Sequence, residues 1–318
     1  MEPPEIIRVS GLSKAYGPLQ ALRDVHVKVR RKEILAYLGP NGAGKTTTIK
    51  ILSGLLSRDA GEVVICGTDV AGDPVFVKQR IGVVPDESNL SPELSCRRNL
   101  DYLGELYGLL RTRRRARAAE LLAQFDLTGK AADPFGTLSR GLKRRLTIAA
   151  ALMHDPEVLF LDEPTTGLDV PSARALRDLI RFINQQGTTV FLTTHNLQEA
   201  EALCRRVVIL IKGRVAAQGT IGEIRERVRR VNLLTVTFSG EVPPEELRQA
   251  CPAVLAVTPH DHAWRLEVSD THVALAQLLT FSETWQLRLE EINSAGASLE
   301  DAFMEILQDN LTDLGKVS

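Results

Sequence analysis

The stretch Gly39-Pro40-Asn41-Gly42-Ala43-Gly44-Lys45-Thr46 constrains this chain more than any other. It fits G-x-x-x-x-G-K-[ST], a loop whose glycines let the backbone fold around phosphate oxygens that a Cβ would keep away. The apolar run 34–38 leads into it and reads as a strand. Beyond it, Ile49, Leu52 and Leu56 recur at helical spacing, so 46–56 reads as an amphipathic helix. A helix N-terminus with free N–H groups favours an anion at that place. Lys45 is expected on the β- and γ-phosphates, the Thr46 hydroxyl on Mg²⁺, and Thr47 as a further donor to phosphate. Strand, glycine-rich turn and helix in this order commit the chain to an α/β fold.

A second site lies at 158–164, Val-Leu-Phe-Leu-Asp-Glu-Pro. Four apolar residues running into two carboxylates describe a buried strand that delivers acids to the crevice where α/β sheets bind ligands. Asp162, last on the strand, is expected to hold Mg²⁺ through water. Glu163, turned the other way by side-chain alternation, is expected to polarise an attacking water as a general base. Further strands are expected at 6–10, 25–29, 62–66, 81–84, 190–193 and 207–211, with helices near 172–185 and 196–204. This alternation predicts a mostly parallel sheet covered by helices. Between about 90 and 153, leucines and alanines at helical spacing with few β-branched residues predict a helical insert.

Charge divides the chain. With 39 Lys+Arg and 40 Asp+Glu the total is near zero, yet residues 1–230 carry a net +9 and residues 231–318 a net −10. The boundary follows a charged helix expected over 221–230. Strands at 233–238, 254–258 and 264–268 and helices near 244–250, 271–281 and 298–309 then predict a small C-terminal α+β domain. We expect this acidic domain to have an accessory, regulatory or steadying role. Four scattered cysteines, Cys66, Cys96, Cys204 and Cys251, suggest neither a disulfide framework nor a zinc site, and a reducing compartment is expected. No window approaches the ~18 consecutive apolar residues of a membrane span, and the acidic start Met-Glu-Pro-Pro-Glu does not read as a signal peptide.

The order of the remaining motifs decides which phosphate-loop machine this is. Leu138-Ser139-Arg140-Gly141-Leu142-Lys143 precedes Asp162, Gly167-Leu168-Asp169 follows it, and His195 comes after the strand at 190–193. Over about residues 5–225 this order resembles the ATP-binding cassette (ABC) ATPases. The signature form L-S-x-G-x-K-x-R and the tail phrase Ser298-Leu299-Glu300-Asp301-Ala302-Phe303 resemble the branch that serves ABC-2-type exporters of drugs and antibiotics. The resemblance implies a P-loop NTPase cassette that binds and hydrolyses ATP with Mg²⁺. It implies Tyr16 stacked on adenine, His195 at the γ-phosphate, and Ser139 and Gly141 presented to ATP bound by a second copy. Asp169 would couple the two sites of a head-to-tail homodimer. A separate ABC-2-type permease would bring the chain to the inner face of the membrane, where it would power export of a small molecule, drug or lipid-like substrate. The helical insert, hinged at Asp86, would transmit cassette closure to that permease.

Two positions depart from the family's usual pattern. Asp86 follows Val84-Pro85 where Gln is usual, so a carboxylate would meet Mg²⁺ or the water, and altered Mg²⁺ or pH dependence is expected. Arg140 stands where many members have Gly. The run Arg111-Thr112-Arg113-Arg114-Arg115-Ala116-Arg117 is expected to be a solvated face, without interleaved aromatics for base stacking. A soluble ABC-type ATPase acting on nucleic acid or ribosomes is the alternative, although such proteins usually carry two fused cassettes or a long coiled coil, and this sequence shows neither. No nucleic-acid partner is expected. His260 and His262, close together without a third ligand, are expected to be surface residues.

Overall fold

The computed structural model describes residues 4–227, 232–240, 242–260, 263–293 and 298–315. They divide into two compact units, Met1–Gly219 and Thr220–Ser318. The division falls about ten residues before the charge break at 230.

In the first unit, β1 (Glu5–Tyr16) and β2 (Leu19–Arg30) form a long antiparallel hairpin. It is about twice the length read from the runs at 6–10 and 25–29, because its outer positions are filled by Lys, Asp and Ser while Leu12, Leu22 and Val25 still face inward. With β4 (Ala60–Ile65) and β5 (Thr68–Asp69) it makes a sheet of order β2-β1-β4-β5. The second sheet contains β3 (Ile34–Leu38), β6 (Ile81–Val84), β7 (Val158–Asp162), β8 (Thr189–Thr194), β9 (Arg206–Ile211) and β10 (Arg214–Thr220), in the order β10-β9-β3-β8-β7-β6. From β9 to β6 neighbouring strands run parallel, and β7 and β8 are buried along their whole length. Their carboxyl ends therefore open on one edge of the sheet. β10 was not legible in the sequence: its Ala-Ala-Gln-Gly stretch has little strand character and is recruited by the turn after β9.

Helix α1 (Lys45–Leu52) ends four residues earlier than its apolar spacing suggests, because Gly54 takes a left-handed turn after it. Its Ile49, Ile51 and Leu52 join one apolar cluster with Ile7, Val27 and Val63 of the first sheet and Tyr37, Phe160 and Phe191 of the second. After α2 (Pro74–Lys78), the expected insert appears as α3 (Cys96–Leu106), α4 (Arg111–Gln124) and α5 (Arg140–Ala151). Helices α6 (Val170–Gln185) and α7 (Leu197–Leu203) follow, capped by Asp169 and Asn196.

His154, just after α5, stacks on Tyr107 with centroids 3.6 Å apart and donates from Nε2 to the Ile81 carbonyl at 2.9 Å. Burial depresses this imidazole below its ordinary 6.5. The unfolded chain therefore takes up a proton that the folded chain refuses, so stability present above pH 6.5 is lost as the pH falls toward the folded value. Thermal melts of His154→Phe, which keeps the stack and cannot titrate, should show a flatter pH dependence below 6.5 than the unsubstituted chain.

The second unit runs α8 (Ile221–Arg227), β11 (Asn232–Phe238), α9 (Pro244–Ala250), β12 (Val254–His260), β13 (Ala263–Val268), α10 (Thr271–Thr284), β14 (Leu289–Asn293) and α11 (Leu299–Gly315). From β11 to β14 this is a βαββαβ unit with an antiparallel sheet of order β12-β13-β11-β14, the ferredoxin-like arrangement. Leu234, Val236, Leu266 and Val268 face Leu247, Leu278 and Phe281 of its two helices. The expected strands and helices of the tail are present, and β14 is added to them. Its Glu290 and Glu291 hide a strand that is exposed along most of its length.

The tail phrase has a local physical basis. Ser298 Oγ accepts from the Asp301 amide at 3.1 Å, and Asp301 Oδ2 accepts from the Ser298 amide at 3.0 Å, a reciprocal cap on α11. Asp301 Oδ1 also takes Arg265 of β13 at 2.7 Å, which pins the helix start to the sheet. Among the described residues no helix is long and apolar enough to cross a membrane, all four cysteines are free thiols, and no cluster of metal-ligating side chains occurs. His260 is exposed, and His262 lies outside the described residues.

Candidate active site

The parallel sheet brings the phosphate loop after β3, the acids after β7, His195 after β8 and Asp86 after β6 to one edge. A cleft of about 590 Å³ opens there, lined by Tyr16, the loop 40–47, Asp86 and Glu163, together with Gln20, Arg23 and Lys212. The last three carry no motif and could not have been found in the sequence. Lys212 arrives on the turn between β9 and β10, where Gly213 donates to the Ala43 carbonyl at 3.0 Å and so braces the loop.

The glycines of the loop serve different ends. A Cβ on Gly39 would strike the Leu210 carbonyl oxygen, so this position is closed by β9. Gly44 has φ +108, and its Cβ would come within 2.7 Å of the Ala21 carbonyl oxygen. Asn41 and Gly42 line the cleft. Thr46 is exposed at the start of α1, Thr47 half-buried beside it.

Lys45 is 6% exposed, and its Nζ lies 2.7 Å from the Gly39 carbonyl, 3.2 Å from that of Pro40 and 3.2 Å from Glu163 Oε1. The other oxygen of Glu163 meets His195 Nδ1 at 2.9 Å and the Thr166 hydroxyl at 3.1 Å. Alternation along a strand does not aim Glu163, contrary to the expectation. The residue stands one past the end of β7 with φ +46, a left-handed conformation unusual for a side chain of this size. Its amide donates to the Thr193 carbonyl at 3.1 Å, which fixes that turn. Asp162 is 4% exposed, and its Oδ1 accepts the Thr193 hydroxyl, leaving Oδ2 without a side-chain donor among the described contacts.

Tyr16, at the hairpin end of β1, is 46% exposed. Asp59 anchors its approach, taking Lys14 Nζ at 2.6 Å and the Ala15 amide at 2.7 Å; the Lys14 bond draws the Asp59 carboxyl below its usual value. Six predicted residues do not line this cleft. Gly39, Asp162 and His195 stand beside residues that do, His195 through its bond to Glu163, while Ser139, Gly141 and Asp169 are held elsewhere. Ser139 caps α5, Gly141 lies one residue inside that helix against Ser172, and Asp169 caps α6 by accepting from the Ser172 amide at 2.7 Å. Arg140 links these pieces by donating to the Gly167 carbonyl at 3.0 Å. The bonds from Ser172 hold the Asp169 carboxyl below its usual range.

Sequence reasoning also missed Arg144, which falls at an unassigned position of the L-S-x-G-x-K-x-R stretch. It is 8% exposed and directs its whole guanidinium at backbone carbonyls near Asp86 and Glu163. Burial draws its pKa below the usual guanidinium value, while the charges of Asp86, Asp162, Glu199 and Glu163 oppose that. Of the arginines at 111–117, Arg113, Arg114 and Arg117 pair with Asp155, Asp101, Glu105 or Glu120.

Comparison with known proteins agrees with this geometry. The ABC transporter family model matches residues 22–166. The linearmycin resistance ATP-binding protein LnrL of Bacillus subtilis (strain 168) is 34% identical over 312 residues, which span 97% of this chain and 100% of that protein. The chain belongs to the ABC transporter family. As an ABC cassette it is an ATP-binding, ATP-hydrolysing P-loop protein. The doxorubicin resistance ATP-binding protein DrrA of Mycobacterium tuberculosis (strain CDC 1551 / Oshkosh) is 44% identical over 251 residues, 78% of this chain and 74% of that cassette. Among solved structures, an ATP-binding subunit of an ABC transporter superposes with a TM-score of 0.64 at 33% identity, covering 70% of this chain and 92% of that one. A bacterial ABC cassette solved as a dimer superposes with a TM-score of 0.62 at 27% identity, covering 67% and 98%.

Proposed function

We propose that this chain is the motor of an ABC-2-type exporter, a peripheral cytoplasmic subunit working as a head-to-tail homodimer beneath a separate permease. The observation that carries the dimer is the division of the predicted residues. Lys45, Asp86 and Glu163 line the cleft and His195 is bonded to Glu163, whereas Ser139, Gly141 and Asp169 cap or open helices around Ser172 and, among the described contacts, touch none of these residues. In this reading each cleft therefore takes donors from a second copy. Export is supported by relatives that bear the names of linearmycin resistance, doxorubicin resistance and Nod factor export.

In this reading Lys45 and the loop amides hold the β- and γ-phosphates, and Tyr16 stacks on adenine. Thr46, the unengaged oxygen of Asp162 and Asp86 form an all-oxygen donor set of the kind Mg²⁺ prefers. Bound there, the ion would neutralise charge on the phosphates. Glu163 takes the proton of the attacking water, and His195, bonded to the same carboxylate, orients that water at the γ-phosphate. Ser139 and Gly141 of the partner copy complete the phosphate contacts, and Asp169 links the two sites.

The test is co-expression with a separate ABC-2-type permease. Both together, and neither alone, should lower cellular accumulation of a fluorescent amphipathic drug such as doxorubicin, and the effect should vanish with Lys45→Ala. Co-purification with a substrate-binding protein and an importer permease would overturn the direction of transport.

A further inference from the structure

Arg144 stands on α5, at the last variable position of the L-S-x-G-x-K-x-R stretch, with its guanidinium buried. Nε donates to the Pro164 carbonyl at 2.9 Å. Nη1 donates to Pro85 at 2.5 Å and Asp86 at 3.1 Å, and Nη2 to Asp162 at 2.5 Å and Glu163 at 2.8 Å. A guanidinium has five N–H groups, and all five are used on carbonyl oxygens. Among the described residues no carboxylate touches it, so a simple ion pair does not explain why a cation is buried here. The five acceptors belong to two segments, the loop after β6 and the end of β7 where the catalytic carboxylates sit. A second bond joins the same loop to the same helix, Ser88 Oγ to Thr147 Oγ1 at 2.8 Å.

We propose that Arg144 is a positioning residue that ties the Asp86 loop and α5 to the backbone of Asp162–Glu163–Pro164, so that movement of the helical insert sets the placement of Glu163. The inference rests on the reading of Glu163 as the base and adds to it the part that aims it. The fork is rigid, so the insert cannot pivot at Asp86 without carrying the Glu163 turn along or breaking the bonds. Lysine, with three donors on one nitrogen, cannot span both segments. Arg144 does not line the nucleotide cleft, which separates its role from ATP binding.

The experiment compares the full chain with Arg144→Lys. The variant should lose turnover by roughly 100-fold, the loss expected when a catalytic group is misplaced by about an ångström. Affinity for ATP should stay within about twofold of the unsubstituted chain, as expected of a residue outside the cleft. Amide exchange at 86–88 and at 163–166 should accelerate together. Full turnover with unchanged exchange at both segments would overturn the proposal. Should the variant not fold, the unsubstituted chain decides the matter: one common opening rate for the two segments supports the link, and two unrelated rates overturn it. If Glu163→Gln keeps normal turnover, the base is elsewhere, while the paired exchange still tests the link itself.

Discussion

Glu163→Gln is expected to reduce steady-state ATP hydrolysis by 100-fold or more, within the range attributed to a positioned general base, while ATP-bound dimers accumulate. The substitution is nearly isosteric and keeps an oxygen for Lys45, which lies 3.2 Å away. It removes the charge that accepts a proton and weakens the hold on His195 and Thr166, both bonded to the second oxygen. Binding therefore survives and the chemical step does not, a loss of kcat without a matching loss of affinity. Phosphate release together with size-exclusion chromatography in ATP reads both effects. Hydrolysis at the unsubstituted rate would show that another group serves as base.

Lys45→Ala should act on the opposite term. An ammonium that is 6% exposed is screened little by water, and at an effective dielectric near 20 a charge pair at 4 Å is worth about 4 kcal/mol. Loss of ATP affinity by a factor on the order of 100 to 1,000 is expected from that energy. Affinity for adenosine should be unaffected, because its contacts are assigned to Tyr16 rather than to Lys45. The same substitution leaves the Gly39 and Pro40 carbonyls without the Nζ donor. Titrations with ATP and adenosine, run beside a thermal melt, separate lost binding from lost stability. Equal weakening of both ligands would mean that the loop had collapsed.

These two residues were visible in the sequence because their chemistry depends on near neighbours. A glycine-rich turn needs its glycines within a few residues, and a buried strand ending in two acids is a contiguous signal. Ferredoxin-like topology in the second unit was half legible: the elements are local, but the pairing of β11 with β13 and β14 depends on which strands meet. Strands β10 and β14 escaped notice because they carry little apolar alternation of their own and are held by neighbours.

The site's finer geometry was decided at long range. The phosphate loop, the paired acids and the order of the motifs follow from sequence alone, since each is written in consecutive residues with a definite period. Only the folded chain decided that Glu163 is aimed by a left-handed turn pinned to Thr193 and that Leu210 closes the space at Gly39. It likewise decided that Arg144 spends its donors on segments 59 and 20 residues away. The physical reason is that backbone carbonyls have no sequence signature. Every residue has one, and only tertiary structure selects which of them a buried arginine must satisfy.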